Sequence, residues 1–182
     1  FESQAAFRAI LRAMSRPGEI VAAGAGLTPP APLRPAAAAA LLTLADFETL
    51  VWLAEPFAGD VAAWLKFHTG APLAPTPQAA AFALVEAEAL DLASFAQGLA
   101  AYPDRSTTIV VQVDELTNSG ERILRGPGVK GERRFDFAPR PAGFVAQWRV
   151  NADSFPLGVD LILAAEDRLA ALPRSTRIEG GG

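Results

Sequence analysis

Few residues in this sequence could carry out chemistry, and a single histidine comes first among them. His68 is the only imidazole in the 182 residues, so general-base chemistry at neutral pH would fall on it first. It lies near the C-terminus of a predicted helix, where the helix dipole favours the protonated form. No Ser-His-Asp arrangement can be assigned around it. A structural histidine at a helix end is the favoured interpretation, and a catalytic base is the alternative.

A second group of polar residues lies near the end of the chain. Asp160 interrupts the apolar run 157–163, where a carboxylate is costly unless it is paired. We expect it to pair with Arg174 or Arg177, because a hairpin brings their segments together. Residues 174–177 (RSTR) also combine two guanidinium groups with two hydroxyls, a set suited to phosphate or phosphonate. An ion pair that holds the hairpin is slightly favoured over an arginine-bearing anion pocket.

One glycine-rich loop could present backbone N–H groups to a phosphate. Gly126-Pro127-Gly128 follows a predicted strand, as such loops often do. It lacks the Lys-Ser/Thr ending of a P-loop and the third glycine of a dinucleotide-binding loop. A tight turn is therefore the favoured interpretation.

Composition excludes several classes of protein. The chain has no cysteine, so cysteine-based zinc sites, iron–sulfur clusters, thiol nucleophiles and disulfides are impossible within it. Sixteen Lys and Arg against twenty Asp and Glu give a net charge of -4, which argues against a nucleic-acid partner. Hydrophobic residues make up 51%, enough for a core of normal size.

Length and hydropathy predict one soluble domain. The 182 residues fit one ordinary domain, so we expect residues 1–179 to form a single unit and residues 180–182 a glycine tail. The longest uncharged stretch, 68–85, contains three prolines and cannot be a membrane helix. No charged-then-apolar signal segment opens the sequence. We expect a cytoplasmic protein that has no membrane partner.

Periodicity and turn signals predict an α/β domain whose central sheet is mixed. Apolar residues at helical spacing, together with caps such as Asp60 and Gly70, indicate helices over 1–14, 36–45, 60–69, about 90–97 and 139–151. Strands are expected over 19–23, 50–54, 81–85 and 107–113. Two hairpins are expected, from 107–113 to 122–125 and from 159–164 to 169–172. Strands that alternate with helices early and form hairpins late indicate a three-layer fold.

Five segments together carry a resemblance to a known family. They are residues 7–18 (FRAILRAMSRPG), 41–53 (LLTLADFETLVWL), 67–73 (FHTGAPL), 155–163 (FPLGVDLIL) and 172–179 (LPRSTRIE). In this order and spacing they resemble the PhnH family, the H subunit of bacterial carbon–phosphorus lyase. The resemblance spans nearly the whole chain, from Phe1 to about Glu179.

The resemblance implies a role in phosphonate degradation. Members of the PhnH family join the G, I and J subunits in a symmetric core complex with two copies of each, and from the two copies we expect a homodimer. With the L protein, the G, H and I subunits are associated with a reaction in which methylphosphonate displaces adenine from ATP, giving α-D-ribose 1-methylphosphonate 5-triphosphate. We therefore expect an accessory subunit of a transferase complex without independent activity. The alternative is a subunit that binds nucleotide or phosphonate and contributes residues directly to the transfer.

The family fold resembles the large domain of type I pyridoxal-phosphate transferases. A pyridoxal enzyme needs a lysine for its Schiff base, and Lys66 and Lys130 lie in no recognisable cofactor motif. We therefore expect the scaffold without the cofactor, and no metal. A pyridoxal-phosphate protein remains a third, disfavoured hypothesis. The polar positions matched by the resemblance are candidate anion-binding or interface residues: His68, Thr69, Asp160, Arg174, Ser175 and Thr176.

Overall fold

The computed structural model describes residues 3–180. The start of the first expected helix (residues 1 and 2) and the last two residues of the expected glycine tail (181 and 182) lie outside the described residues. The helices are α1 (Ser3–Ser15), α2 (Pro35–Leu44), α3 (Asp60–Thr69) and α4 (Phe144–Asp153). The strands are β1 (Val21–Ala22), β2 (Val51–Leu53), β3 (Phe82–Glu86), β4 (Gln97–Leu99), β5 (Tyr102–Ser106), β6 (Thr108–Gln112), β7 (Glu115–Thr117), β8 (Ile123–Arg125), β9 (Arg133–Arg134), β10 (Asp136–Ala138), β11 (Asp160–Ala165), β12 (Arg168–Leu172) and β13 (Arg177–Glu179).

A six-stranded mixed sheet forms the middle layer, in the order β1-β12-β11-β6-β3-β2. The strands β2, β3, β6 and β11 are parallel, whereas β12 runs antiparallel to both β11 and β1. Successive side chains of β6 point to opposite faces: Val110 packs with α1, α2 and α3, while Ile109 and Val111 pack with α4 and the small strands. The expected α/β fold with a mixed central sheet is confirmed.

Most of helix α2 is buried. The side chains of Ala36–Ala40 are all fully buried between the sheet and α1. A run of alanines has high helix propensity and leaves a narrow helix with no polar face, which must be buried on several sides. Helix α1 contacts α2, and its buried residues are Ala6, Ile10 and Ala13, while Phe7 and Leu11 are exposed.

The hairpin expected between 107–113 and 122–125 is wrong. Both edges of β6 are already paired with parallel strands, β3 and β11, so no edge remains for an antiparallel return strand. Strand β8 pairs instead with β13 and β9, and β7 pairs with β10. The other hairpin is confirmed, because β11 and β12 pair antiparallel across Glu166-Asp167.

The helix expected over about 90–97 is also wrong. The segment contains short 3-10 turns and continues into β4. The Asp91 carboxylate accepts hydrogen bonds from the Ala93 amide at 3.2 Å and from the Ser94 hydroxyl at 2.6 Å. Such local bonds from an aspartate to nearby groups compete with a continuous α-helix.

Two helix starts differ from the expected ones. Asp60 is the first residue of α3, and the N-cap position belongs to Gly59, so the expected side-chain cap is absent there. Gly70 ends α3 in the left-handed conformation, as expected. Helix α4 begins at Phe144 rather than at residue 139, after a segment that contains two prolines and Gly143. Within residues 3–180, each helix is too short or too polar to cross a membrane.

The amide of Asn151 joins α4 to the start of β11, and this contact generates a first prediction. Its Nδ2 donates to the Val159 carbonyl at 3.0 Å, and its Oδ1 accepts from the Val159 amide at 2.8 Å, in a buried site. Asn151→Ala leaves both backbone groups without partners, so we expect the free energy of unfolding to fall by about 2–4 kcal/mol in urea titrations. Asn118→Ala is the control: its amide also donates to two backbone carbonyls, of Gly18 and Arg134, but the side chain is exposed, so water can replace it and the loss should be smaller. An equal loss in both variants would contradict this account.

Candidate functional site

The carboxyl edge of the parallel strands is the usual ligand site in an open α/β sheet, and here the chain itself lies across it. Gln112, the last residue of β6, is buried. Its Nε2 donates to the Pro32 carbonyl at 3.0 Å, and its Oε1 accepts from the Arg34 amide at 2.8 Å. The Arg34 guanidinium donates in turn to the Val113 carbonyl and to Asp114. The segment that precedes α2 therefore occupies the position beside β6 that a ligand would take.

Glu86, at the end of β3, belongs to the same cluster. Its Oε1 accepts a hydrogen bond from Gln112 Nε2 at 2.8 Å. Burial raises the pKa of the Glu86 carboxyl, and the charge of Arg34 together with the Gln112 hydrogen bond opposes that rise in part. Glu86 thus pays a desolvation cost when it is ionised.

Asp160 and Arg174 meet at the opposite edge of the sheet, as the sequence indicated. Asp160 is the first residue of β11, level with Thr108 of β6. Its carboxylate accepts from Arg174 Nε at 3.1 and 3.2 Å, from Arg174 Nη2, and from the Arg174 amide at 2.7 Å. Both side chains are only 14% exposed. The other expected partner, Arg177, instead pairs with Asp153 at 2.8 Å.

The remaining donors of Arg174 are also used. Nη1 donates to the carbonyls of Pro103 at 3.0 Å and Pro156 at 3.4 Å, and Nη2 donates to the Ser106 hydroxyl at 2.5 Å. All five guanidinium N–H groups therefore have an acceptor. In this arrangement Arg174 holds the hairpin and neighbouring loops together and has no donor left for an anion.

Ser175 and Thr176 lie in the turn between β12 and β13. The Thr176 side chain is fully buried, its amide donates to Pro173 at 2.8 Å, and its carbonyl accepts from Trp148 Nε1 at 2.9 Å. Within residues 3–180 its hydroxyl has no partner. Ser175 is half-buried beside Gly126. The Gly126-Pro127-Gly128 loop is a tight turn closed by the Val129 amide at 3.1 Å, as the favoured interpretation proposed.

His68 and Thr69 form a separate group at the end of α3. The His68 ring is exposed, with its centroid 4.7 Å from that of Trp64 and 5.1 Å from that of Phe67. Phe67 is 85% exposed, and the backbone of Gly70 lies beside the 73% exposed Phe47. We call these residues the α3 aromatic patch: Phe47, Trp64, Phe67 and His68.

Thr69 has a local structural role. Its hydroxyl donates to the Leu65 carbonyl at 2.8 Å and accepts from the Ala71 amide at 3.0 Å, which satisfies the end of α3. In the part of the chain that the structure describes, no hydrogen bond or ion pair links this group to Asp160 or Arg174. The structure therefore divides the predicted candidates into two sets and does not form one constellation from them.

A cavity that sequence reasoning missed lies at the start of α4. It measures about 710 Å³ and is lined by three arginines, Arg122, Arg140 and Arg149; we call it the arginine cavity. The Asp136 carboxylate accepts from Arg122 Nη1 at 2.8 Å and lies 3.3 Å from Arg140 Nη1. Arg122 precedes β8, Arg140 lies between β10 and α4, and Arg149 is on α4, so no local sequence motif indicates the cavity. One feature of the sequence was consistent with an anion site there: the first turn of α4 contains no acidic residue.

These arrangements can bind, but they do not form a recognisable catalytic set. Residues 3–180 contain no group of three or more His, Asp or Glu side chains that could hold a metal ion. The histidine is exposed and has no carboxylate partner within the same residues, and Asp160 is engaged with Arg174. Two features that a ligand or partner could use are the arginine cavity and the α3 aromatic patch.

Comparison with known proteins settles the family. A family model described as bacterial phosphonate metabolism protein (PhnH) matches residues 1–179. The chain belongs to the PhnH family. It is 40% identical to the α-D-ribose 1-methylphosphonate 5-triphosphate synthase subunit PhnH of Rhizobium meliloti (strain 1021), over 98% of this chain and 91% of that protein. It is 32% identical to the C-P lyase subunit protein HtxG of Stutzerimonas stutzeri, over 96% of this chain and 85% of that protein. The resemblance found in the five segments is confirmed.

In this PhnH-family chain, the Asp160–Arg174 pair generates a second prediction. Arg174→Met leaves Asp160 as an unpaired buried charge, so the free energy of unfolding should fall by about 3–5 kcal/mol in urea titrations. Adding Asp160→Leu should restore part of this loss, because the unpaired charge is removed. The control is Arg177→Met, whose pair with Asp153 is more than half exposed and should contribute less than about 1 kcal/mol. Equal losses in the two single variants would refute the assignment.

Glu86 generates a third prediction, on pH. The pKa of Glu86 is higher in the folded chain than in the unfolded one. The free energy of unfolding therefore falls progressively as pH rises above the ordinary pKa of glutamate, because Glu86 becomes ionised. Glu86→Gln keeps an oxygen that can accept from Gln112 but carries no charge. Its urea midpoint relative to wild type should therefore rise between about pH 4 and about pH 8. The exposed Glu55→Gln serves as the control, because the Glu55 charge does not contribute to the shift, and a Glu86→Gln difference that stays flat or falls with pH would exclude this account.

Proposed function

We propose that this chain is a subunit of the carbon–phosphorus lyase system for organic phosphonate catabolism. In this proposal it supports the formation of α-D-ribose 1-methylphosphonate 5-triphosphate from ATP and methylphosphonate, with release of adenine. The observation that carries the proposal is the 40% identity, over 98% of the chain, to a subunit of the synthase named for that product. It acts in the cytoplasm as part of a transferase complex.

The role we propose is accessory rather than catalytic. Three observations support it: Pro32 and Arg34 lie across the carboxyl edge of the sheet, the guanidinium of Arg174 is fully engaged, and His68 lies in an exposed aromatic patch. An accessory subunit needs a stable scaffold and surfaces for partners. A catalytic subunit would need a general base and a substrate cleft close together.

We further propose that the scaffold resembles the large domain of type I pyridoxal-phosphate transferases and is used without the cofactor. Mixed sheets with helices on both faces are compatible with such a likeness. A Schiff-base lysine is activated by burial or by a neighbouring cation, whereas Lys66 and Lys130 are both exposed. Fold likeness by itself carries no activity.

The partners we propose are a second copy of this chain and the G, I and J subunits. The α3 aromatic patch supports this, because exposed aromatic side chains close together are typical of the centre of a protein interface. Phe67 and Phe47 are the most exposed large apolar residues of the patch, and His68 lies between Phe67 and Trp64. In this proposal His68 and Thr69 belong to an interface and do not bind an anion.

The alternative is a subunit that binds nucleotide or phosphonate and contributes residues directly to the transfer. The arginine cavity is the observation that favours it, since three arginines are suited to phosphate or phosphonate oxygens. The two candidates differ in what a cavity variant does to the assembled complex: direct participation predicts lost turnover with assembly intact.

A fourth prediction tests the subunit role. Co-expression with the G, I and J homologues of the source organism, followed by size exclusion with light scattering, should yield one defined complex that contains this chain. Phe67→Ser should reduce its share of the complex at least about fivefold if the patch is central to an interface. Phe155→Ser, at a similarly exposed phenylalanine outside the patch, is the matched control. A chain that never joins G, I and J while these associate with one another would overturn the proposal.

A further inference from the structure

The arginine cavity concentrates positive charge in a chain whose net charge is -4. Arg122, Arg140 and Arg149 line it, and Asp136 is the carboxylate that pairs with two of them. One negative charge against three positive charges leaves the site cationic. Like charges held together in a partly enclosed site repel one another unless an anion lies between them. The arrangement therefore has an electrostatic cost that a bound anion would remove.

Arg122 uses only part of its hydrogen-bonding capacity. Its Nη1 donates to both oxygens of Asp136, each at 2.8 Å. Its Nε is buried and has no acceptor among residues 3–180, and Nη2 makes no hydrogen bond to those residues either. Because Nε is buried, an anion in the cavity cannot reach it, and Nη2 is the donor that Arg122 can still offer. The side chain of Arg122 is thus held by Asp136 with one accessible N–H group unpaired.

Arg149, on α4, is the cation without a carboxylate. The two acidic residues of the adjoining cleft are already paired elsewhere, Asp153 with Arg177 at 2.8 Å and Glu179 with Arg125 at 2.9 Å. Among the described residues, Arg149 has neither a hydrogen-bond acceptor nor an ion-pair partner. The neighbouring ion pairs therefore leave its charge available to the cavity.

The N-terminus of α4 adds backbone donors to the same cavity. Gly143 occupies the N-cap position with φ 71° and has no side chain to cap the helix, and the first turn has no acidic residue. The amides of Val145 and Ala146, which line the cavity, have no hydrogen-bond acceptor among residues 3–180. Such uncapped amides carry the positive end of the helix dipole and favour an anion.

We infer that the arginine cavity is a binding site for a doubly charged phosphate-type oxyanion, a phosphoryl or phosphonyl group. Arginines on three separate segments of the chain can approach several oxygens of one tetrahedral group, and the helix amides can approach another. A volume of about 710 Å³ also exceeds what one phosphate fills, so the group can belong to a small organic molecule. The inference deepens the alternative role proposed above, in which this subunit binds a phosphate-bearing ligand, and it goes beyond the favoured accessory role, which requires no ligand.

The test is isothermal titration calorimetry on the full chain at low and at physiological salt. The probes are inorganic phosphate, methylphosphonate and ATP, with acetate as a singly charged comparison. We expect saturable binding of phosphate or methylphosphonate, and weaker binding of acetate. Arg140→Gln and Arg149→Gln should each weaken binding about tenfold, because each removes a charge-assisted hydrogen bond. Arg168→Gln is the matched control, since Arg168 is equally exposed but does not line the cavity.

Nuclear magnetic resonance locates the site independently. In ¹⁵N-labelled protein, the amide resonances of Val145 and Ala146 should shift in proportion to bound anion. These shifts should shrink in Arg149→Gln, while the rest of the spectrum shows the variant to be folded. Tighter binding of ATP than of phosphate would identify a nucleotide triphosphate chain as the source of the group. Equal binding of phosphate and methylphosphonate would mean that the site recognises the charged head alone.

Three results would overturn the inference: no saturable binding to wild type, equal affinity for acetate, or affinities unchanged in the Arg140 and Arg149 variants. The outcome is separable from that of the subunit role, because assembly with G, I and J is measured without any anion. Assembly without anion binding would refute only the site. Anion binding without assembly would refute only the subunit role.

Discussion

The buried ion pair of Asp160 and Arg174 is the contact on which the positions of the surrounding segments depend. Arg174 joins the start of β11, the end of β12, the end of β5 and the loop before β11 through one guanidinium. The chain that leaves this junction becomes β13, which pairs with β8, and β8 pairs in turn with β9 to complete the small sheet beside α4. The positions of Arg122 and Gly180, which line the arginine cavity beside β8 and β13, therefore depend on the Asp160–Arg174 ion pair at the edge of the central sheet.

The architecture places binding features away from the classical site of an α/β sheet. Gln112 and Arg34 hold the chain across the carboxyl edge, which leaves the cavity at α4 and the aromatic patch at α3 as the accessible features. Side chains that could do acid–base chemistry are dispersed, whereas side chains that could bind partners or anions are grouped. This distribution fits a protein that works within an assembly.

Sequence reasoning succeeded where local pattern and burial agree, and failed where pairing depends on distant residues. The β-branched run of 107–113, the alanines of α2 and the turn at Glu166-Asp167 each specify their own element. The partner of 122–125 could not be read locally, because β3 and β11 compete for β6 from elsewhere in the chain. Asp160 could be matched with an arginine because burial demands a counter-charge. The arginine cavity could not be foreseen, because its residues are brought together by three small strand pairings: β7 with β10, β8 with β13, and β8 with β9.

Helix α2 has a consequence for how this sequence can vary. Ala36–Ala40 have no exposed surface at all, so the distance from α2 to the sheet and to α1 is set by methyl groups. A larger side chain there would have to displace a whole layer, and overpacking of this kind costs about 1–3 kcal/mol for each substitution. Glycine would fit, but it would weaken the helix by about 1 kcal/mol at each position. Among relatives that keep this layer spacing, α2 should therefore be the segment with the narrowest choice of residues, although none of its side chains performs any chemistry.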